Sequence, residues 1–296
     1  MRLFILTSSK FTIPRALLCQ KVLDIIELGL SSAQIHFYIV GDKLPDSLLT
    51  LEQNSDVVTI IKEVAAEKLI KEGADFVDIG AYSSKPGADF VSEKEEINRL
   101  IPIVRLIHDN FPQTPISIDS FRSNVIKKSI QAGAAIVNDI SAGQLDPMMF
   151  ETVGKLGVPY IMMHMRGTPQ IMQQMTTYSN IIKDIYYYFS ERISLAKEHQ
   201  IKDLIIDLGF GFSKTLEQNF KLLNSLDFYT NLNLPILVGI SRKSMVYKTL
   251  ETTPGNALNG TSALNMLALD KGAKLLRVHD VKEAIECVKL HRALTN

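Results

Sequence analysis

Seven short segments of this chain end in side chains that hydrogen-bond or carry charge. Asp119 and Ser120 close "PISIDSF", Asn138 and Asp139 close "AAIVNDIS", and Asp207 lies in "DLIIDLGF". His164 and Arg166 belong to the end of "PYIMMHM", and Ser241, Arg242, Lys243 and Ser244 to the end of "PILVGIS". "FVDIGAYSS" holds Asp78 and runs out in Ser83, Ser84 and Lys85, and "AKLLRVHDV" holds Arg277, His279 and Asp280. Any one polar end is as well explained by its approach to water. That explanation is weakest for Asp119, Asn138 and Asp207, which are embedded in Ile, Val and Leu, where a polar group is costly to desolvate without a partner. A polar ligand is one such partner. The three together suit the edge of a flat, nitrogen-rich ring, because carboxylates accept from ring N–H and amino groups. Arg277 and His279, with Ser84 and Lys85 across the mouth, suit an anion such as diphosphate. A heteroaromatic bearing a diphosphate leaving group satisfies both. Asp139 is equally a structural cap or ion-pair partner, and His164 alone is more simply a satisfied core histidine.

The stretch "DLGFGFSKT", residues 207–215, imitates a phosphate loop. A Walker loop needs glycine immediately before Lys-Thr, and here that residue is Ser213; a dinucleotide fingerprint needs a third glycine where Lys214 stands. The reading is that Gly209 and Gly211 let the backbone turn sharply and carry Phe212 towards a ligand. Lys214 is expected to be solvated at the head of the next helix.

The elements that position these residues alternate. The seven segments span 76–84, 115–121, 134–141, 159–165, 203–210, 235–241 and 273–281, and each is a continuous apolar run, the pattern of strands buried on both faces of a parallel sheet. Helical patterns lie between them. "VVTIIKEVAAEKLIKEG" puts Val57, Ile61, Val64 and Ala65 on one face, with Gly73 as its stop. "VSEKEEINRLIPIVRLI" opens with Ser92 and Glu95 at capping-box spacing and Val91 as a hydrophobic staple. "TLEQNFKLLNSL" repeats the pattern through Leu216, Phe220, Leu223 and Leu226, and "VKEAIECVKLHRAL" ends the chain helically. Seven strand–helix units plus one more predict an α/β fold, a (β/α)8 TIM barrel with its site at the C-terminal strand ends. The eighth strand is expected within residues 1–56, at 21–28 or 35–41. No Pro/Gly/Ser-rich linker interrupts the pattern, so residues 1–296 read as one domain. An open doubly wound sheet would want a phosphate fingerprint after its first strand, and none is there.

The 296 residues carry 32 basic and 32 acidic side chains, which argues against a nucleic-acid surface. The two cysteines, Cys19 and Cys287, lie far apart and form neither a disulfide framework nor a zinc motif. No apolar run reaches membrane-span length, and "MRLFILTSSK" is too short a run for a signal peptide, so a cytoplasmic setting is expected.

Taken in order, "DIGAYSSKPGADFVSEKEE", "ISIDSFRSNV", "GAAIVNDISAG", "MHMRGTPQIMQ", "DLGFGFSKT", "LVGISRKSM" and "LRVHDV" resemble the dihydropteroate synthases, from about Val57 to the C-terminus. The resemblance implies a (β/α)8 barrel that condenses 6-hydroxymethyl-7,8-dihydropterin diphosphate with p-aminobenzoate, with Mg2+ at the diphosphate. It implies that Asp119, Asn138, Asp207 and Lys243 hold the pterin, and that Arg277 and His279 hold the diphosphate. Ser84, Pro86, Phe212 and Ser244 would border the p-aminobenzoate pocket. It also implies a homodimer formed through the last helices.

This chain departs from the family pattern in residues 1–56. The family opens with a strand and loop whose asparagine helps bind metal and diphosphate; the nearest match here is "VLDIIELGLSS", which puts Glu27 in its place as a hard-oxygen Mg2+ ligand. Lys85 stands where the family usually has arginine, and Leu208 where it usually has proline. Besides an active synthase, two readings are open: a catalytically impaired pterin-binding paralogue with a binding or regulatory role, and a methyltetrahydrofolate-type methyltransferase. The "SRKSM" and "RVHDV" segments argue against the methyltransferase, which has no need of a diphosphate site.

Overall fold

A computed structural model describes residues 2–6, 66–82 and 90–295. Eight parallel strands close into a barrel in chain order. They are β1 (Arg2–Leu6), β2 (Phe76–Gly80), β3 (Ile116–Asp119), β4 (Ile136–Asp139), β5 (Tyr160–Met163), β6 (Leu204–Asp207), β7 (Ile236–Val238) and β8 (Leu275–Val278). Helices follow the strands: α1 (Glu93–Asn110), α2 (Ser123–Gln131), α3 (Met149–Leu156), α4 (Ile181–Glu198), α5 (Leu216–Asn224), α6 (Ser244–Thr249), α7 (Leu258–Asp270) and α8 (Val281–Thr295). Residues 66–71 are also helical, and Gly73 ends that turn at φ +102°.

The eighth strand is Arg2–Leu6, not 21–28 or 35–41; those two segments, with most of residues 1–65, lie outside the described residues. "RLFIL" pairs with β2 and with β8, which is what closes the barrel.

Every residue of β2, β3, β4, β5 and β7 is buried, as expected of strands covered on both faces. Phe76, Ile136, Ile161, Leu237 and Leu275 pack together; three of them are first residues of their strands, so this cluster plugs the N-terminal end of the barrel. A larger cluster, including Ile118, Val137, Phe189, Leu223 and Val278, fills the layer between strands and helices. Each such side chain stabilises the fold by about 1.5–3 kcal/mol. With that end plugged, a ligand has access from the C-terminal end.

Local signals set the helix starts. The Ser92 side chain caps α1 by accepting from the Glu95 N–H at 3.2 Å, but the Glu95 side chain accepts from Arg99 rather than closing a capping box. The full box occurs at α5, where Thr215 and Gln218 cap each other's backbone. Leu223 and Leu226 are buried as expected, whereas Leu216 is exposed, because that first turn faces out beyond the capping box. The strands are shorter than the apolar runs that announced them. Each run continues past its strand end, and that continuation begins the loop that shapes the site.

Candidate active site

The barrel register sets the polar residues side by side. Asp119 pairs with Asn138, Gly80 with Asp119, and Met163 with Asp207. The centre of the group is Arg277 on β8. Its Nη2 donates to Asp119 Oδ2 at 2.7 Å, and its Nε donates to Asp78 Oδ2 at 3.0 Å. Asn138 Nδ2 donates to the same Asp78 oxygen at 3.1 Å. Asp78, Asp119, Asn138 and Arg277 therefore form one network across four strands.

Two carboxylates share one guanidinium here, and this sets their acidity. Burial raises Asp119 to about 7; Arg277 opposes the rise and the Asp78 charge adds to it. Burial raises Asp78 as well, against Arg277. Burial thus makes both carboxyls harder to ionise than free ones, while the shared guanidinium favours their charged forms. Asp78 Oδ1 is buried and has no hydrogen-bond partner among the described residues.

On the other side of the mouth, Asp207 Oδ1 accepts from the Gly209 N–H at 2.8 Å. Burial raises its pKa, with Lys243 as the main opposing charge. Lys243 donates from Nζ to the Phe210 carbonyl at 2.5 Å and sits 5.0 Å from the Phe212 ring centre. Burial lowers its ammonium to about 8. The resemblance puts Lys243 rather than Arg242 at the pterin, and the local geometry gives a reason. Arg242 takes φ +53°, and its guanidinium clasps Asp280 at 2.8 and 2.8 Å and the Pro254 and Gly255 carbonyls at 2.9 and 2.6 Å. That leaves Lys243 for the mouth.

His279 lies next along from Arg277, its Nδ1 2.8 Å from Ser241 Oγ. Burial lowers its pKa to about 4; Arg277, Arg242 and Lys243 add to the effect and Asp280 opposes it. It is neutral at pH 7. Ser244 is the first residue of α6, beside Lys243.

The loop 208–215 has the sharp turn expected of it. Gly209 and Gly211 take φ of +69° and +84°, and a Cβ at Gly209 would lie 2.0 Å from the His164 carbonyl oxygen. Phe212 then packs on Ile140, Met163, Met165 and Met172 at the rim. Lys214 is a correction: it is 4% exposed rather than solvated. Its Nζ donates to the Gly209 and Phe212 carbonyls, each at 2.8 Å, and lies 3.1 Å from His164 Nδ1. Two left-handed glycines turn the loop carbonyls inward, and the lysine follows them.

His164 is a buried histidine, edge-on to Tyr188. Asp139 is structural: it accepts from Ser141 N–H and Oγ–H at 2.8 and 2.7 Å, and from Gly143 N–H and Tyr160 O–H at 2.7 Å each. Ser84, Lys85, Pro86 and Glu27 lie outside the described residues. The structure thus brings together Asp119, Asn138, Asp207, Phe212, Lys243, Ser244, Arg277 and His279. It adds Asp78, whose signal was a charge in the middle of "FVDIG", and Lys214 and Ser241 as supports.

Comparison with known proteins adds an independent line. A family model described as "Pterin binding enzyme" matches residues 44–279. The dihydropteroate synthase of Haemophilus influenzae is 38% identical over 232 residues, covering 78% of this chain and 84% of that protein. The Escherichia coli K12 enzyme of that name is 36% identical over 269 residues, covering 90% and 94%. Among solved structures, Yersinia pestis dihydropteroate synthase with a sulfonamide drug superposes with TM-score 0.76 at 37% identity, covering 80% of this chain and 85% of that one. The Xanthomonas albilineans enzyme with 4-aminobenzoic acid gives TM-score 0.78 at 31% identity, covering 87% and 90%.

Proposed function

Because the chain belongs to the pterin-binding enzyme family, as a relative of the dihydropteroate synthases, we propose that it joins 6-hydroxymethyl-7,8-dihydropterin diphosphate to p-aminobenzoate, releasing pyrophosphate. The product is 7,8-dihydropteroate, a step of folate biosynthesis. The observation that carries the reading is the buried network of Asp78, Asp119, Asn138 and Arg277, facing Asp207 and Lys243 across one barrel mouth.

In this reading the pterin ring lies in the mouth with its N–H and amino groups towards Asp119, Asn138 and Asp207. Lys243 donates to a ring acceptor. The bond from the pterin methylene to the diphosphate oxygen breaks, and the electron pair leaves with the diphosphate. Negative charge from Asp119 favours the positive charge that grows on the methylene, and cationic donors favour the leaving anion. The arylamine nitrogen of p-aminobenzoate attacks from the opposite face, forms the C–N bond and sheds a proton. Most of the rate then comes from positioning and fixed charges rather than from a general base.

In this reading Arg277 acts on the diphosphate, as the resemblance implies. Its Nε and Nη2 are committed to Asp78 and Asp119, so its charge reaches the diphosphate from within the network, and Nη1 has no hydrogen-bond partner among the described residues. Phe212 and Ser244 border the p-aminobenzoate side in this reading; Ser84 and Pro86, which the resemblance puts there, and Lys85, expected at the anion, lie outside the described residues. Mg2+ accompanies the diphosphate. Among the described residues no three His, Cys, Asp or Glu side chains converge on a metal position. Mg2+ is commonly held by one or two carboxylates plus substrate phosphates, and Glu27 is the candidate carboxylate. When bound, the ion would neutralise the leaving diphosphate. Two copies of the chain pair through α7 and α8, where Leu267, Leu290 and Leu294 are exposed. A cytoplasmic location fits the described helices, none of which is long and apolar enough to cross a membrane.

The test is steady-state synthase activity of Asp207→Asn and Lys243→Met beside wild type. A loss of at least about a hundredfold in kcat/KM for the pterin is expected of each, the scale of a charged contact used in the transition state. Turnover near wild type in both would overturn the pterin assignment.

A further inference from the structure

Resting on the synthase reading, we propose that Ser241 is a positioning residue that holds His279 as its Nε2–H tautomer, so that the ring offers the leaving diphosphate a neutral N–H donor. Ser241 is buried in the turn after β7. Its Oγ accepts from the His279 backbone N–H at 3.2 Å and lies 2.8 Å from His279 Nδ1. The backbone N–H is only a donor, so it takes a lone pair of the hydroxyl. The hydroxyl proton then needs an acceptor. Among the described residues, the acceptor that Oγ meets is Nδ1. The opposite arrangement, with Nδ1–H pointing at Oγ, would aim two donors at one oxygen and strand its proton.

A second feature agrees. A histidine N–H is often fixed by a neighbouring carboxylate, and Asp280 is the adjacent residue. Its two oxygens are taken by Arg242 Nε and Nη2, both at 2.8 Å. The charges that face His279 are Arg277, Arg242, Lys243 and Asp280; three of the four are cations, and they oppose an imidazolium. The ring stays neutral, its Nδ1 lone pair is occupied by Ser241, and its one proton sits on Nε2. The site then meets the diphosphate with a hydrogen bond that adds no charge, so that product pyrophosphate is not held by a further cation.

Histidine-selective 15N NMR of the whole protein tests this directly, with His279 assigned by the signal lost in His279→Gln. The expected wild-type pattern, constant from pH 6 to 8, is a lone-pair resonance on Nδ1 and a protonated one on Nε2. Inorganic pyrophosphate should move the Nε2 resonance more than Nδ1. Ser241→Ala should mix the tautomers and lower kcat/KM for dihydropterin diphosphate about tenfold, the worth of one ordinary hydrogen bond, with KM for p-aminobenzoate unchanged. Ser241→Thr should restore both readouts. A wild-type His279 protonated on Nδ1, or an unchanged spectrum in Ser241→Ala, overturns the proposal. Absence of wild-type turnover would remove the synthase reading, while the spectrum still decides the role of Ser241.

Discussion

Asp119→Asn removes a titrating group from the network without changing its shape. The carbonyl of the introduced amide can still accept from Arg277 Nη2, which reaches Asp119 Oδ2 at 2.7 Å in the native protein. Burial raises the Asp119 pKa from 3.8 to about 7. Well below the unfolded value of 3.8 the native carboxyl is neutral in both folded and unfolded chains, so native and variant stabilities should run together there. Between pH 4 and 7 the unfolded chain has released the proton and the folded chain has kept it. Native stability therefore falls as pH rises through this window. A shift of about three units at about 1.4 kcal/mol per unit amounts to about 4 kcal/mol. The amide variant has no such slope from this position. Asp78 shares the arginine and, freed of a neighbouring charge, becomes easier to ionise, which trims the difference between the two proteins. The variant should thus gain about 2–4 kcal/mol on the native protein between pH 4 and 7.5. Urea unfolding at half-unit pH steps measures it. The same variant should lose at least about a hundredfold in synthase kcat, because the charge facing the pterin methylene is gone. Parallel stability curves across the window would refute the argument, since Asp119 would then ionise like a free carboxyl.

Three further outcomes follow from the same network and its supports. Lys214→Met leaves the Phe212 carbonyl without its Nζ donor and the Gly209 carbonyl with the Phe212 N–H alone; it should cost about 1–3 kcal/mol and raise KM for p-aminobenzoate through Phe212, read by denaturation and by steady-state kinetics. Arg122→Met strands Glu96, which is buried and takes Arg122 Nη1 at 2.6 Å; a loss of about 3–5 kcal/mol is expected in a chemical melt, with Arg122→Lys recovering part of it. Gly209→Ala drives a Cβ to 2.0 Å from the His164 carbonyl at φ +69°, so it should destabilise by more than about 3 kcal/mol and abolish turnover, whereas Gly157→Ala, with no atom within 4 Å of its added Cβ, should cost about 1 kcal/mol.

The sequence disclosed the site better than its supports, for a physical reason. Asp119, Asn138 and Asp207 stand out because a charge or amide inside a buried apolar strand must have a partner. Asp78 gives the same signal in "FVDIG", but nothing local says that its partner is Arg277, 199 positions along the chain. Lys214 is misjudged for the opposite reason: a lysine before a helix is ordinarily solvated, and only the left-handed turns at Gly209 and Gly211 aim two loop carbonyls at it. The resemblance names Lys243 and not Arg242, but the reason, a left-handed Arg242 whose guanidinium bonds Asp280, is not visible in composition or periodicity. β1 escapes notice because a five-residue strand at the start of a chain carries no periodicity, and its role appears only when β2 and β8 are seen to need a partner.

The most direct measurement is turnover by the purified protein given dihydropterin diphosphate, p-aminobenzoate and Mg2+, with dihydropteroate and pyrophosphate followed together and pterin binding measured by calorimetry on the same sample. The expected result is the two products in equal amounts and dependence on both substrates, with Mg2+ needed at the diphosphate. Tight pterin binding without either product would contradict it, and would mark the chain as a pterin-binding paralogue whose residues 1–56 no longer complete the site.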